Sequence, residues 1–152
     1  MAVVKVVSGG QRGADLGGLD GAKDAGIATG GWVPNGRRTE SVPLSEAQML
    51  YYNLREHSSS MYPPRTEQNI LDSDGTVLFG DVSSAGSAMT IRICKRERKP
   101  FIVNPTPIEL RAWCDNNNIS VLNVAGNRHS VNPTIYGVAR ATVGEAFTGA
   151  SK

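Results

Sequence analysis

The 152-residue chain has few of the groups that hold metal ions or cross-link a fold, with only two cysteines and two histidines. Cys94 and Cys114 belong to no CxxC or Cys/His cluster, each falls within a predicted helix, and both read as small buried hydrophobes. His57 and His129 are equally isolated, so local spacing supports neither structural zinc nor an imidazole site. No stretch approaches the roughly 18 consecutive apolar residues needed to span a bilayer. Nor does the chain open with a basic segment followed by a long apolar run, so the expectation is a cytoplasmic protein with no membrane partner. Charge is nearly balanced, with 16 Lys and Arg against 14 Asp and Glu. Basic residues gather only at Arg37-Arg38 and at Lys95-Arg96-Arg98-Lys99, the latter reading as the solvated end of a helix, so a nucleic-acid groove is not suggested. No G-x-G-x-x-G stands at the first turn and no G-x-x-x-x-G-K-[ST] occurs anywhere, which argues against ordinary dinucleotide binding and a P-loop.

What is present is enough for one domain over residues 1–152, with 39% hydrophobic residues available for a core. The opening stretch reads as strand, glycine-rich turn and helix. Val3, Val4, Val6 and Val7 favour a buried strand, and Gly9, Gly10 and Gly13 permit turns that a Cβ would obstruct. Leu16, Leu19, Ala22 and Ala25 then recur at helical spacing. Such a join directs free N–H groups and the positive end of a helix dipole out of the sheet, where an anion can sit.

The alternation continues along the chain. Ile27 to Trp32 reads as a second strand ending in Gly30 and Gly31, followed by a turn carrying Arg37 and Arg38 as an anion fork or ordinary loop residues. Thr39 to Pro64 is the least regular part, with a helix expected from Ser45 to Arg55 under a Ser45 cap. Tyr51, Tyr52 and Tyr62 are core or interface aromatics, or could stack on a ligand ring. Arg65 to Leu71 reads as helix, Thr76 to Gly80 as strand, and Asp81 to Ala88 as a small-residue turn opening a helix that reaches Arg98. Ser84, Ser87 and the amides around them could bind an anion, or Ser83 or Ser84 could cap the helix. Strand Pro100 to Val103 precedes a capping box at Thr106-Pro107-Ile108-Glu109. Strand Ser120 to Gly126 and a polar loop lead to a last helix, beginning at Asn132-Pro133, whose Ile135, Val138, Ala139, Thr142 and Ala146 share a face.

Strands alternating with helices predict an α/β fold, a mostly parallel sheet covered by helices on both faces. Ligands in such sheets collect at the carboxyl ends of strands. Three exits are rich in glycine, serine or asparagine: Ser8 to Asp15, Asp81 to Ser87, and Val124 to Ser130. Side by side they would form one pocket for a phosphate and a polar ring.

Four ordered segments carry a family resemblance: Ser8-Gly9-Gly10-Gln11-Arg12-Gly13-Ala14-Asp15, Gly30 to Arg37, Arg65 to Thr76, and Leu122 to Arg128. Together the chain resembles the "putative molybdenum carrier" family, the circularly permuted YpsA-like branch of the SLOG superfamily. The resemblance implies a Rossmann-like three-layer sandwich and a homo-oligomer, dimer or tetramer. It also implies a pocket for a phosphorylated small molecule, either molybdenum cofactor (molybdopterin) or a nucleotide-like ligand. On this basis the ligand-binding candidates are Gly9, Gly10, Gln11, Arg12, Gly13, Asp15, Gly31, Arg37, Arg65, Asn69, Ser84, Gly86, Ser87, Gly126 and Arg128. Related phosphoribohydrolases carry a glutamate one helical turn after a P-G-G-x-G-T segment, and Thr90 falls at that place here. A hydroxyl cannot serve as a carboxylate acid or base near neutral pH. Arg12 stands where the carrier branch usually has threonine, where it could contact a phosphate or close the pocket to a bulky cofactor. The resulting expectation is a non-catalytic carrier without side-chain metal ligands. Its rivals are a nucleotide sensor or sponge, and a nucleoside-monophosphate hydrolase using Asp15, Glu67 or Asp81.

Overall fold

Val6, Val77, Leu78, Leu122 and Val124 alternate or run together in short β-prone segments and are almost wholly withdrawn from water. Burying each such side chain contributes roughly 1.5–3 kcal/mol. The computed structural model describes residues 3–148. Its elements are β1 (Lys5–Val7), α1 (Ala14–Asp24), β2 (Ala28–Val33), α2 (Glu46–Tyr52), β3 (Leu54–Glu56), α3 (Tyr62–Leu71), β4 (Gly75–Phe79), α4 (Ala85–Arg96), β5 (Phe101–Val103), α5 (Pro107–Asn116), β6 (Val121–Gly126) and α6 (Ile135–Phe147).

The six strands lie in the order β3-β2-β1-β6-β4-β5, and every pair is parallel. The sheet is thus wholly parallel, because each connection passes through a helix. α1 packs on α6 and α6 on α5, while α3 packs on α4. α2 joins the α1 side through Leu19, Met49 and Tyr52. With right-handed crossovers, β1 to β3 step outward under α1 and α2, the chain returns through α3 to β4 and β5, and α5 brings it back to β6. β6 and β4 are neighbours whose exits feed helices on opposite faces. That is a topological switch point, the place where an open parallel sheet leaves a crevice.

α1 approaches its neighbours through glycine. Gly17, Gly18 and Gly21 are buried. A Cβ at Gly17 would lie 2.4 Å from the Tyr136 carbonyl oxygen, and one at Gly18 would lie 2.5 Å from Cγ1 of Val124. The expected stripe of Leu16, Leu19, Ala22 and Ala25 is therefore only part of the buried surface of α1.

Several sequence expectations are revised. The helix expected to reach Arg55 stops at Tyr52, where Asn53 turns left-handed at φ 57°, and Leu54–Glu56 forms an edge strand instead. α3 starts at Tyr62, with Pro63 and Pro64 in its first turn, where a missing N–H costs nothing. α6 begins at Ile135 rather than Asn132, and Val138 is exposed, as is Val4 in the opening segment. The Ser45 and Thr106 caps both form capping boxes, and both cysteines are buried thiols.

Candidate functional site

Because β1, β6 and β4 are adjacent, their three exits meet. They wall a cavity of about 370 Å³, within the size range of small-molecule sites. The exit of β1 contributes Gly9, Gln11 and Asp15, and α3 contributes Tyr62, Arg65, Thr66 and Asn69. The start of α4 adds Ser84, Ala85, Gly86 and Thr90, and the stretch from Asn123 to Arg128 forms the floor and rim.

On α3, Arg65 and Asn69 are four residues apart and share a face. Asn69 locks that helix to β2: its Oδ1 accepts the Trp32 N–H at 2.8 Å, and its Nδ2 donates to the Trp32 carbonyl at 3.0 Å. Arg65 is thereby held in fixed register. It is only 9% exposed. Its Nη1 donates to Thr66 Oγ1 at 2.5 Å, its Cζ lies 5.2 Å from the centre of the Tyr62 ring, and its Nε is buried with no hydrogen-bond partner. Among the described residues no carboxylate forms an ion pair with it.

Asp15 acts on this guanidinium through space. Burial pushes the Asp15 carboxyl above its ordinary range, against the lowering effects of Arg65 and of the Gln11 and Gly9 backbone N–H groups. Burial likewise pulls Arg65 below its ordinary value, with Asp15 opposing. Removing a cation from water costs several kcal/mol unless a partner compensates it. An anion in the cavity that Arg65 lines would supply compensating charge.

Gly9 explains how Arg65 reaches this position. A Cβ there would lie 2.6 Å from Arg65 Cζ and 2.7 Å from its Nε, so the guanidinium occupies the space that a side chain would fill.

The opposite wall is stapled by Asn127. Its Oδ1 accepts the Asp81 N–H at 2.7 Å, and its Nδ2 donates to the Asp81 carbonyl at 2.9 Å and to Ser84 Oγ at 3.1 Å. Ser84 therefore serves as the N-cap residue of α4 without capping through its side chain. The N-terminal turn of α4, which carries the positive end of the helix dipole, borders the cavity through Ser84, Ala85 and Gly86. Ser87, in the same turn, is buried and its hydroxyl has no partner. The Thr90 hydroxyl donates to the Gly86 carbonyl at 3.0 Å.

Of the residues singled out from sequence, Gly9, Gln11, Asp15, Arg65, Asn69, Ser84, Gly86, Gly126 and Arg128 line this cavity. The others do not line it. Gly10, at φ +71°, backs onto Val33 and Leu44, and a Cβ at Gly13 would strike the Asn127 carbonyl oxygen. Gly31 brings β2 within a would-be Cβ distance of 2.1 Å from the Ser8 carbonyl oxygen. Ser87 lies within the first turn of α4, Arg12 is exposed, and Arg37 Nε donates to Glu56 at 3.5 Å. Gly10 and Gly13 thus mainly shape the backbone, and the buried cation of the cavity, Arg65, comes from α3.

Sequence reasoning passed over Thr66 as a wall residue, and it placed Asn123 and Asn127 in the β6 exit without singling out either side chain. The signal for Asn123 is an amide set in the middle of the apolar strand Val121–Gly126. Its Nδ2 donates to Thr76 Oγ1 at 3.2 Å. Among the described residues, no group of three or more His, Cys, Asp or Glu side chains is placed to hold a metal ion. Nor is any helix long and apolar enough to cross a membrane.

Comparison with known proteins agrees with this architecture. Residues 6–147 match the family described as circularly permutated YpsA SLOG. A crystal structure named "Putative molybdenum carrier protein", from Syntrophus aciditrophicus SB, is similar at 36% identity. That likeness covers 96% of this chain and 95% of that one, with a TM-score of 0.85. No curated protein matches.

Proposed function

The chain belongs to the circularly permutated YpsA SLOG family, and from that premise we propose that it holds a phosphate-bearing small molecule, with molybdenum cofactor as the leading cargo. The observation that carries this reading is Arg65, a buried guanidinium in the cavity wall with an unpartnered Nε. Arginine takes phosphate oxygens in charge-assisted, often bidentate bonds, and a ligand phosphate would compensate the buried charge. Ser84, Gly86 and the first amides of α4 supply a second set of donors, and Arg128 adds charge at the rim. Asp15 and Asn69 organise the wall. The name of the Syntrophus protein supports molybdenum cofactor as the cargo, and the phosphate of its pterin is the group that Arg65 would take. Holding rather than cleaving follows from Thr90, a hydroxyl tied to the Gly86 carbonyl where hydrolase relatives carry a glutamate. As a cytoplasmic oligomer, such a protein would store or deliver its ligand.

Mass spectrometry of small molecules released after gentle purification tests this. The expected result is a phosphate-bearing pterin. A nucleotide in its place would support the sensor or sponge reading, and release of no phosphate-bearing molecule would contradict the proposal.

One observation favours an enzymatic alternative. Asp15 lies in the cavity wall, and burial pushes its carboxyl in the direction a general acid needs. Release of free base from nucleoside monophosphates, abolished in Asp15→Asn, would establish that activity. Intact substrate after prolonged incubation would exclude it.

A further inference from the structure

Three segments distant in the chain meet at the rim of the cavity. Gln11 Oε1, on the exit of β1, accepts the backbone N–H of Arg12 at 3.1 Å and that of Glu40 at 2.8 Å. The Glu40 carboxylate accepts the Ser130 N–H at 3.0 Å and also the Ser130 hydroxyl. The same carboxylate stands 3.6 Å from Nε of Arg128. Its side chain is 11% exposed, against 51% for Arg128. Gln11 and Arg128 both line the cavity, and Arg128 is the cavity's second cation beside Arg65.

Glu40 is therefore anchored by groups that do not depend on Arg128. Burial alone would push its carboxyl up, but the two Ser130 hydrogen bonds and the charges of Arg128 and Arg12 outweigh that and hold it below the usual range. The carboxylate is ionised at neutral pH and stays beside Arg128 whether or not the guanidinium turns away. Arg128, half exposed on a long flexible stem, is the mobile member of the pair.

Resting on the cavity reading above, we infer that Glu40 is the site's resident counter-anion, competing with the anionic end of the ligand for Arg128. The cavity then offers Arg65 freely and Arg128 only against this competition, so Glu40 sets how much charge a ligand must carry to engage both cations. It is a specificity-setting residue that touches no ligand itself. Coulomb attraction scales with ligand charge, so relieving the competition helps a phosphomonoester dianion more than its singly charged methyl ester.

The test uses calorimetry at pH 8 with adenosine 5′-monophosphate, its methyl ester and inorganic pyrophosphate as probes. The proteins compared are wild type, Glu40→Gln, Arg128→Gln and the double variant. Glutamine keeps an acceptor for Ser130. The expected result is adenosine 5′-monophosphate bound about two- to fivefold more tightly by Glu40→Gln, the range of charge pairs with a solvent-exposed member. The gain should be smaller for the methyl ester and absent when Arg128 is also replaced. Unchanged or weaker binding by Glu40→Gln, or an equal gain without Arg128, overturns the inference.

If wild type binds, Arg65→Met does not and Glu40→Gln changes nothing, the cavity reading stands and only the role of Glu40 falls. If wild type binds none of the probes, the role of Glu40 falls, and the cavity reading is decided separately by the small molecule that the purified protein releases. Should Glu40→Gln fail to fold, the Arg128 Nε–H resonance of the wild-type protein, identified by its loss in Arg128→Gln, provides the readout. It should shift on adding adenosine 5′-monophosphate, and an unmoved resonance at saturation overturns the inference.

Discussion

Arg65 and Gly9 form one device built from two positions far apart in the chain. Gly9 does not adopt a positive φ, so an alanine backbone fits there, and the atom its Cβ would strike is the end of a flexible side chain. Gly9→Ala should therefore fold, with its urea midpoint little changed, while the displaced guanidinium lowers affinity for phosphate-bearing probes at least about tenfold. A steep stability loss with unchanged affinity would contradict this assignment. Asp15 yields a pH prediction. Its folded-state pKa is raised above the unfolded value of about 3.9. The stability it contributes is thus fully present below about pH 4 and is lost as pH rises through the folded-state value. Asp15→Asn, which keeps an acceptor for Gln11, should match wild type in urea unfolding near pH 3.5 and exceed it increasingly from pH 4 upward. A difference independent of pH would refute the raised pKa.

At the level of elements, α1 inverts a familiar rule. Replacing glycine by alanine inside a helix ordinarily gains up to about 1 kcal/mol. Here the backbone of α6 lies where the Gly17 side chain would go, 2.4 Å from the Tyr136 carbonyl oxygen. Gly17→Ala should destabilise by roughly 1–3 kcal/mol, as overpacked positions do, read as a lower urea midpoint with an unchanged slope. A stabilised variant would show that α1 and α6 do not sit this close. The spacing of Leu16, Leu19 and Ala22 marked α1 as a helix, but it could not show that the tightest contacts lie on glycines. A glycine carries no hydrophobic signal. In the same way, β3 was hidden because three residues at a sheet edge are too few to set a period, and Asn53 ends the preceding helix without a glycine. The Ser45 and Thr106 boxes were legible because a cap is a local chemical pattern read from four residues.

For the whole molecule, the alternation of strands and helices made the layered α/β fold legible, while strand order was not. The placement of β6 between β1 and β4 depends on crossovers that no single segment encodes. That placement gathers the glycine, serine and asparagine exits into one cavity and creates the switch point where it opens. The exits from β1, β4 and β6 could be read as loops from composition alone. Arg65 was named beside Arg12 as a candidate through the family resemblance, but that Arg65 is the one buried in the cavity wall could not be read, because it follows from the packing of Asn69 against Trp32.

The central claim is that an anion is held under Arg65 at the switch point and not by the opening turn. It is tested most directly by calorimetric titration of wild type, Arg65→Met and Arg12→Ala with the same phosphate-bearing ligand, each variant first shown to be folded. Loss of at least about tenfold in affinity for Arg65→Met, with Arg12→Ala within about threefold of wild type, is the predicted result. Retained affinity in Arg65→Met, with binding lost in Arg12→Ala, would contradict it.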